Sequence, residues 1–79
     1  MDWKAITIPD GSKLFKIHRF NFLHQGVNYL FEINELGPGM WIGHGEHATD
    51  QSSVIPTVNG VSLEETLNKL ISQVNKRGP

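Results

Sequence analysis

The chain has 79 residues, enough for one small domain with a modest hydrophobic core. Hydrophobic residues make up 38% of it and charged residues 19%, a balance that excludes a disordered chain. The net charge is −1 and cysteine is absent, which excludes disulfides, thiolate metal sites and a strong overall field for nucleic acid or membranes.

The sequence has no apolar stretch of the length needed to cross a membrane, about 20 residues. Its start lacks the apolar core and the cleavage site of a signal peptide. We therefore expect a cytoplasmic protein with no membrane partner. A core of this size supplies only about 3–5 kcal/mol without disulfides or metals. The remaining stability must come from high secondary-structure propensity, from a well-packed interface between sheet and helix, or from a partner subunit.

The first half of the chain has the pattern of strands. Residues 3–8 include β-formers and predict a strand, and the PDGS sequence at 9–12 predicts a turn. Residues 13–24 predict the next strand. Its apolar alternation changes phase, with Phe15 and Ile17 on one face but Phe20 and Phe22 on the other. A bend could produce this change, but we favour a bulge near residues 18–19.

The clearest strand pattern follows a predicted turn at Gln25 and Gly26. Its apolar residues share one face: Val27, Tyr29, Phe31 and Ile33. Residues 37–39 predict a turn, and Met40 to His44 or slightly beyond predict a fourth strand. Residues 48–53 predict a loop. Val54 and Ile55 predict a short edge strand ended by Pro56, and residues 59–60 predict another turn.

The last part of the chain predicts a helix. Ser62 and Glu65 have the spacing of a capping box. The apolar positions that follow recur at helical intervals and form one stripe: Leu63, Leu67, Leu70, Ile71 and Val74. Residues 78–79, Gly-Pro, end the helix.

Together these elements predict one α+β domain spanning residues 1–79. It has an antiparallel meander of four to five strands, with the C-terminal amphipathic helix packed on one face of the sheet. The other face has no cover within this chain. We therefore expect a protein partner, or a second copy in a homodimer, on that face or at an edge strand.

Residues 43–50, GHGEHATD, hold the densest group of possible metal ligands: His44, Glu46 and His47. On a regular strand, residues 44 and 47 point to opposite faces, so the two histidines do not converge on one ion. Residues 44 and 46 share a face and could form a proton-transfer pair. The alternative, which we favour, is a strand that runs into a polar loop, with glycines where the backbone meets another element closely. We expect no metal and no cofactor.

Residues 13–20 interleave basic and aromatic side chains, a pattern found on single-strand nucleic-acid binders. The charges are Lys13, Lys16 and Arg19. A pI near 6.4 is low for such a protein, so we favour aromatics in the core and cations in solvent. Trp41 is predicted to be a core or interface anchor.

The sequence shows no nucleophile or phosphate-loop motif, so an enzyme is not favoured and we name no catalytic residue. The predicted function is a non-enzymatic interaction or regulatory module. Single-stranded nucleic-acid binding and metal binding remain alternatives. The candidate interaction residues are Lys13, Lys16, His18, Arg19, Trp41, His44 and Glu46.

Residues 29–74 contain strands followed by a glycine and the start of a helix, at Gly60 and then Ser62, Leu63, Glu64 and Glu65. In this arrangement the segment resembles the small HicB-type antitoxins. It departs from their pattern at Thr66, where alanine is usual, and in lacking their Pro-Gly before the helix. The resemblance implies toxin neutralisation and self-association, both through protein contacts.

Overall fold

The computed structural model describes residues 5–49 and 54–77. It contains a four-stranded antiparallel sheet in the order β1-β2-β3-β4, followed by one helix that packs on the sheet. The elements are β1 (Lys16–His24), β2 (Val27–Gly37), β3 (Met40–His47), β4 (Val54–Gly60) and α1 (Leu63–Arg77). The predicted fold class is confirmed, with four strands.

The first hairpin is regular along its whole length. All nine residues of β1 pair with β2 without a register shift, so the bulge predicted near residues 18–19 is wrong. The phase change has a simpler cause. Phe15 lies before the start of β1. Within β1 the side chains alternate regularly, so Ile17 and Phe20 point to opposite faces without a bulge. The turn is as predicted, because Gln25 and Gly26 both have the positive φ, 51° and 79°, of a type I′ turn.

The chain before β1 differs from the prediction. Residues 3–4 of the predicted first strand lie outside the described residues, and residues 5–8 are not in a strand. The PDGS turn is present. The Ser12 amide donates to the Pro9 carbonyl at 3.1 Å, and Gly11 has a φ of 82°.

Strand β4 is longer than predicted. It continues through Pro56 to Gly60, so the predicted end at Pro56 and the predicted turn at residues 59–60 are both wrong. The pairing with β3 is irregular between Gly43 and Gly45, which face Val58 and Ile55. An edge strand with such a bulge tolerates proline, because the missing N–H is not needed by the ladder there. The end of the predicted loop, residues 50–53, lies outside the described residues.

The helix begins at the predicted cap, with the Glu65 carboxylate reaching back to the residue before Ser62. The Glu65 amide donates to the Ser62 hydroxyl at 3.1 Å, and the Glu65 carboxylate accepts from the Val61 amide at 3.3 Å. Leu70 and Val74 are fully buried, and the rest of the predicted stripe packs around them. No helix among the described residues is long and apolar enough to cross a membrane.

The core lies between α1 and one face of the sheet. Its buried hydrophobic side chains are Tyr29, Phe31, Ile33, Ile55, Val58, Leu70 and Val74. Thr66 is buried with them, and its hydroxyl donates to the Ser62 carbonyl at 2.8 Å. The helix packs on β4, β3 and β2, most closely on β4, and makes at most marginal contact with β1.

Candidate functional site

The sheet has a helix face, covered by α1, and an opposite side that we call the open face. The register assigns each residue to one of them. Phe20 of β1 and Gly45 of β3 pair with the buried Phe31 and so belong to the helix face. The residues on either side of them in each strand belong to the open face.

The GHGEH segment is divided between these faces. His44 and Glu46 both lie on the open face, so they share a face of the strand as predicted. His47 is the last residue of β3 and lies on the helix face, where its ring contacts Tyr29 at a centroid distance of 5.6 Å. Asp50 lies outside the described residues. Among residues 5–49 and 54–77, no group of three or more His, Asp or Glu side chains is arranged to hold a metal.

The two glycines of this segment have a packing role. A β-carbon at Gly43 would stand 2.9 Å from the Thr66 methyl carbon, and one at Gly45 would stand 2.8 Å from the Phe31 ring. Neither position has room for a side chain on the helix face. The glycines therefore allow α1 and Phe31 to approach the β3 backbone closely.

A row of charged and polar side chains crosses the middle of the open face. Glu32 of β2 lies between Arg19 of β1 and His44 of β3. The Arg19 Nε atom lies 3.1 Å from the Glu32 carboxylate, with 74% and 45% of the two side chains exposed. A pair this exposed contributes about 0–1 kcal/mol, so it neutralises charge more than it stabilises the fold.

A shallow depression of about 850 Å³ lies on the open face around this row. It combines polar and apolar side chains: Arg19, Leu30, Glu32, His44, Glu46 and Val54. The depression is wide and open, and no strongly basic or strongly apolar patch dominates it. Its lining does not specify one ligand chemistry.

Strand β1 is the second exposed feature. In the part of the chain that the structure describes, β1 has a neighbouring strand on one side, and α1 packs on the other three strands. Ile17 and Leu23, on the open face of β1, are 46% and 70% exposed. Among residues 5–49 and 54–77, β1 thus has no neighbouring strand on its outer side, and its open face is exposed.

The helix face of β1 carries aromatic side chains at its outer margin. Phe22 stacks on Phe31 at 5.7 Å and on His24 at 5.6 Å, and His18 lies 5.7 Å from the Trp41 ring. All of these except Phe31 are only half-buried. The Nε2 atoms of His18 and His24 have no hydrogen-bond partner among the described residues. This margin is partly desolvated but not enclosed.

The basic residues proposed for nucleic acid do not form one surface. Lys13 precedes β1, Lys16 and His18 lie on the helix face, and Arg19 lies on the open face beside Glu32. Lys16 in turn pairs in register with Glu35. The helix face of β1 carries Lys16 together with the half-buried Phe20 and Phe22, whereas Arg19 lies on the opposite face, so the strand does not bring these two cations together beside its aromatics.

The structure adds features that sequence reasoning did not single out. The open depression includes Asn21, Leu30 and Thr57, which no motif marked. Phe20 and Phe22 were expected in the core but lie at its margin. The number of elements could have indicated this margin, because one helix is too narrow to cover all four strands of the meander.

Comparisons with protein-family models, with curated proteins and with solved structures found no match for this chain.

Proposed function

We propose that this chain is a protein-interaction module that binds another polypeptide by adding a strand to the edge of β1. The observation that carries the proposal is the position of β1, at the sheet edge and outside the area on which α1 packs. An edge strand of this kind offers unpaired backbone groups as a template for a partner strand.

The two edges of the sheet differ in the way that this proposal requires. Strand β4 contains Pro56, pairs irregularly with β3 and lies beneath the helix. Proline, bulges and helical cover are the devices by which proteins block edge pairing. Strand β1 has nine residues, contains no proline and pairs regularly with β2.

The outward backbone groups of β1 follow from its turn. In a two-residue hairpin, the residues that flank the turn form the hydrogen-bonded pair, here His24 and Val27. Hydrogen-bonded and non-bonded positions then alternate along β1. The N–H and C=O groups that point away from β2 therefore belong to Ile17, Arg19, Asn21 and Leu23.

The side chains of β1 suit a protein partner on both faces. Ile17 and Leu23 expose apolar surface on the open face, and Phe20 and Phe22 are half-buried on the helix face. Burying such surface contributes about 25 cal/mol per Å², in addition to the new backbone hydrogen bonds. A partner strand thus gains side-chain contacts above and below the sheet.

Amide hydrogen exchange with a synthetic peptide tests the proposal. The probe has the sequence of residues 16–24 and is added to the isotopically labelled, dilute protein. We expect it to slow exchange at the outward amides of residues 17, 19, 21 and 23, while the amides that already bond β2 change less. A control peptide with proline at the positions equivalent to 19 and 21 should give no protection, since it cannot donate to the edge.

Unchanged exchange at these four amides under saturating peptide would overturn strand addition at β1. Protection limited to β3 and β4 would overturn it too, because it would place the binding surface elsewhere. The Asn21→Pro variant gives a check on the protein side. It removes one outward N–H without removing a bond to β2, so it should fold but lose the peptide-dependent protection.

A further inference from the structure

The edge proposed above has a specific partner. Building on that proposed function, we infer that β1 pairs antiparallel with β1 of a second copy of this chain, about a two-fold axis at Phe20. The two sheets then form one continuous sheet with four strands from each copy.

Backbone hydrogen bonding limits the possible registers. The outward groups lie on odd-numbered residues of β1, so odd-numbered residues must face odd-numbered residues of the second copy. If the two-fold axis passes near the middle of the strand, it can pass through one of three residues, which we call the centre of the register: Arg19, Phe20 or Asn21.

The side chains favour the centre at Phe20. A centre at Arg19 places the two Arg19 side chains directly opposite each other, which is destabilising. A centre at Asn21 leaves Lys16 and Ile17 without partners and sets Arg19 against Leu23. A centre at Phe20 pairs all nine residues of the strand.

The Phe20 register brings apolar side chains opposite each other on both faces, and its remaining helix-face pairs are His18 with Phe22 and Lys16 with His24. On the helix face, Phe20 lies opposite Phe20 of the second copy, in a non-hydrogen-bonded pair whose side chains are close. On the open face, the exposed Ile17 lies opposite the exposed Leu23, and the symmetry repeats this pair. Cross-strand pairs of this kind contribute about 0.2–1 kcal/mol each.

The positive charge of β1 does not oppose this pairing. The strand has two basic residues other than histidine, Lys16 and Arg19, and no acidic residue. Each pairs in register with a glutamate of β2, Lys16 with Glu35 and Arg19 with Glu32. In the Phe20 register, Arg19 faces the neutral Asn21, and the two Lys16 residues lie at opposite ends.

The symmetry also fixes the arrangement of the two copies. A two-fold axis perpendicular to the sheet makes the interface isologous and places both helices on the same side. The half-buried Phe20 and Phe22 of each copy then lie on the part of the sheet surface between the two helices. The margin that α1 leaves uncovered in one copy is covered in part by the other.

Single-cysteine variants test the register, because the natural chain has no cysteine. Phe20→Cys, Arg19→Cys and Asn21→Cys each place a thiol next to its own copy in one of the three registers. Mild oxidation should cross-link F20C into a covalent dimer and leave R19C and N21C largely monomeric. In the Phe20 register, residues 19 and 21 lie one position from the axis, so each is a diagonal neighbour of its own copy, about 7–8 Å away, which is too far for a relaxed disulfide.

Two controls keep the result interpretable. Val61→Cys, exposed in the connection between β4 and α1, measures cross-linking by random collision. If F20C fails to fold, a mixture of Ile17→Cys and Leu23→Cys replaces it, since these positions are exposed and face each other across the axis. The mixture should give a heterodimer that neither variant gives alone.

Each outcome decides a separate point. Cross-linking of R19C or N21C in place of F20C overturns the Phe20 register. Sedimentation that shows a monomer, with no cross-link, overturns the second copy as partner, and peptide protection of β1 still decides the proposed function. A dimer with no cross-link at any of these positions places self-association on another surface and also overturns the inference.

Discussion

Thr66 packs directly over Gly43, with its methyl carbon 2.9 Å from the position that a β-carbon at Gly43 would occupy. The same β-carbon would stand 3.0 Å from Leu70 Cδ1. Two side chains of the helix thus rest on a strand position without a side chain. This contact sets how closely α1 approaches the middle of the sheet.

Gly43→Ala should therefore destabilise the fold. Overpacking at a well-filled site costs about 1–3 kcal/mol, and here the helix must shift to make room. His44→Ala, at an exposed position one residue further along β3, is the matched control and should change stability by less than about 0.5 kcal/mol. Chemical denaturation of both variants measures the difference.

A double-mutant cycle identifies the contact responsible. Thr66→Ser removes the methyl carbon but keeps the hydroxyl that donates to the Ser62 carbonyl. In that background, Gly43→Ala should cost less than it does in the natural chain, although Leu70 still limits the space. An equal cost in the two backgrounds would show that Thr66 is not the obstacle.

Ser62→Ala should lower the free energy of unfolding by about 1 kcal/mol, because the Glu65 amide loses its acceptor. Ser62→Asp keeps an acceptor oxygen at the same place and should stay within a few tenths of a kcal/mol of the natural chain. Thermal unfolding followed by circular dichroism separates the two. Equal losses in both variants would mean that the acceptor oxygen at residue 62 is not the source of the stability lost.

The start of the helix shows what the sequence can predict. Ser62, Glu65 and the apolar stripe lie within a few turns of each other, so local spacing is sufficient to predict cap, length and buried face. The turn at Gln25 is likewise local. Each of these predictions needed no knowledge of which strands are neighbours.

The incorrect predictions concern features that depend on tertiary contacts and not on local sequence. Pro56 lies in a strand because β4 is at an edge and bulged, which local propensity cannot indicate. Gly60 ends β4, where the local sequence predicts a turn glycine, and its lack of a side chain leaves room for Thr66 of α1. One helix cannot cover four strands, but which strand it leaves exposed depends on how α1 docks, so the position of the margin at β1 was not predictable.

The turn of the first hairpin gives a stability prediction of its own. Gln25 has a φ of 51°, which is unfavourable for glutamine but well tolerated by asparagine. Gln25→Asn should raise the free energy of unfolding by a few tenths of a kcal/mol, since Asn-Gly is a preferred type I′ turn. Gln25→Val should lower it, because β-branched residues resist positive φ. The melting temperatures of the two variants should move in opposite directions.

Glu32→Gln should weaken self-association more than folding. The Arg19–Glu32 pair is exposed, so its loss changes the fold by about 0–1 kcal/mol at most. In the Phe20 register, however, the two Arg19 side chains are diagonal neighbours, and without Glu32 they repel. We expect the dimer to dissociate more readily at low salt and to recover as salt is added.

Glu64→Gln is the control for this experiment, because it removes the same charge from an exposed position in the first turn of α1. It should leave the dissociation constant unchanged at every salt concentration. Equal effects of the two substitutions would indicate that net charge, not the charge beside Arg19, governs self-association. Sedimentation equilibrium at several salt concentrations provides the measurement.

Leu23→Lys should abolish the dimer while leaving the monomer intact. Leu23 is exposed on the open face of β1, so the substitution removes little from the core and should change stability by less than about 0.5 kcal/mol. In the dimer, the lysine would lie opposite Ile17, where its ammonium group loses water and finds no acid on β1. Met40→Lys, at an exposed position of β3 away from the edge, adds the same charge to the open face. Sedimentation should therefore show a monomer for the first variant and a dimer for the second, whereas disruption by both would assign self-association to the open face and not to the β1 edge.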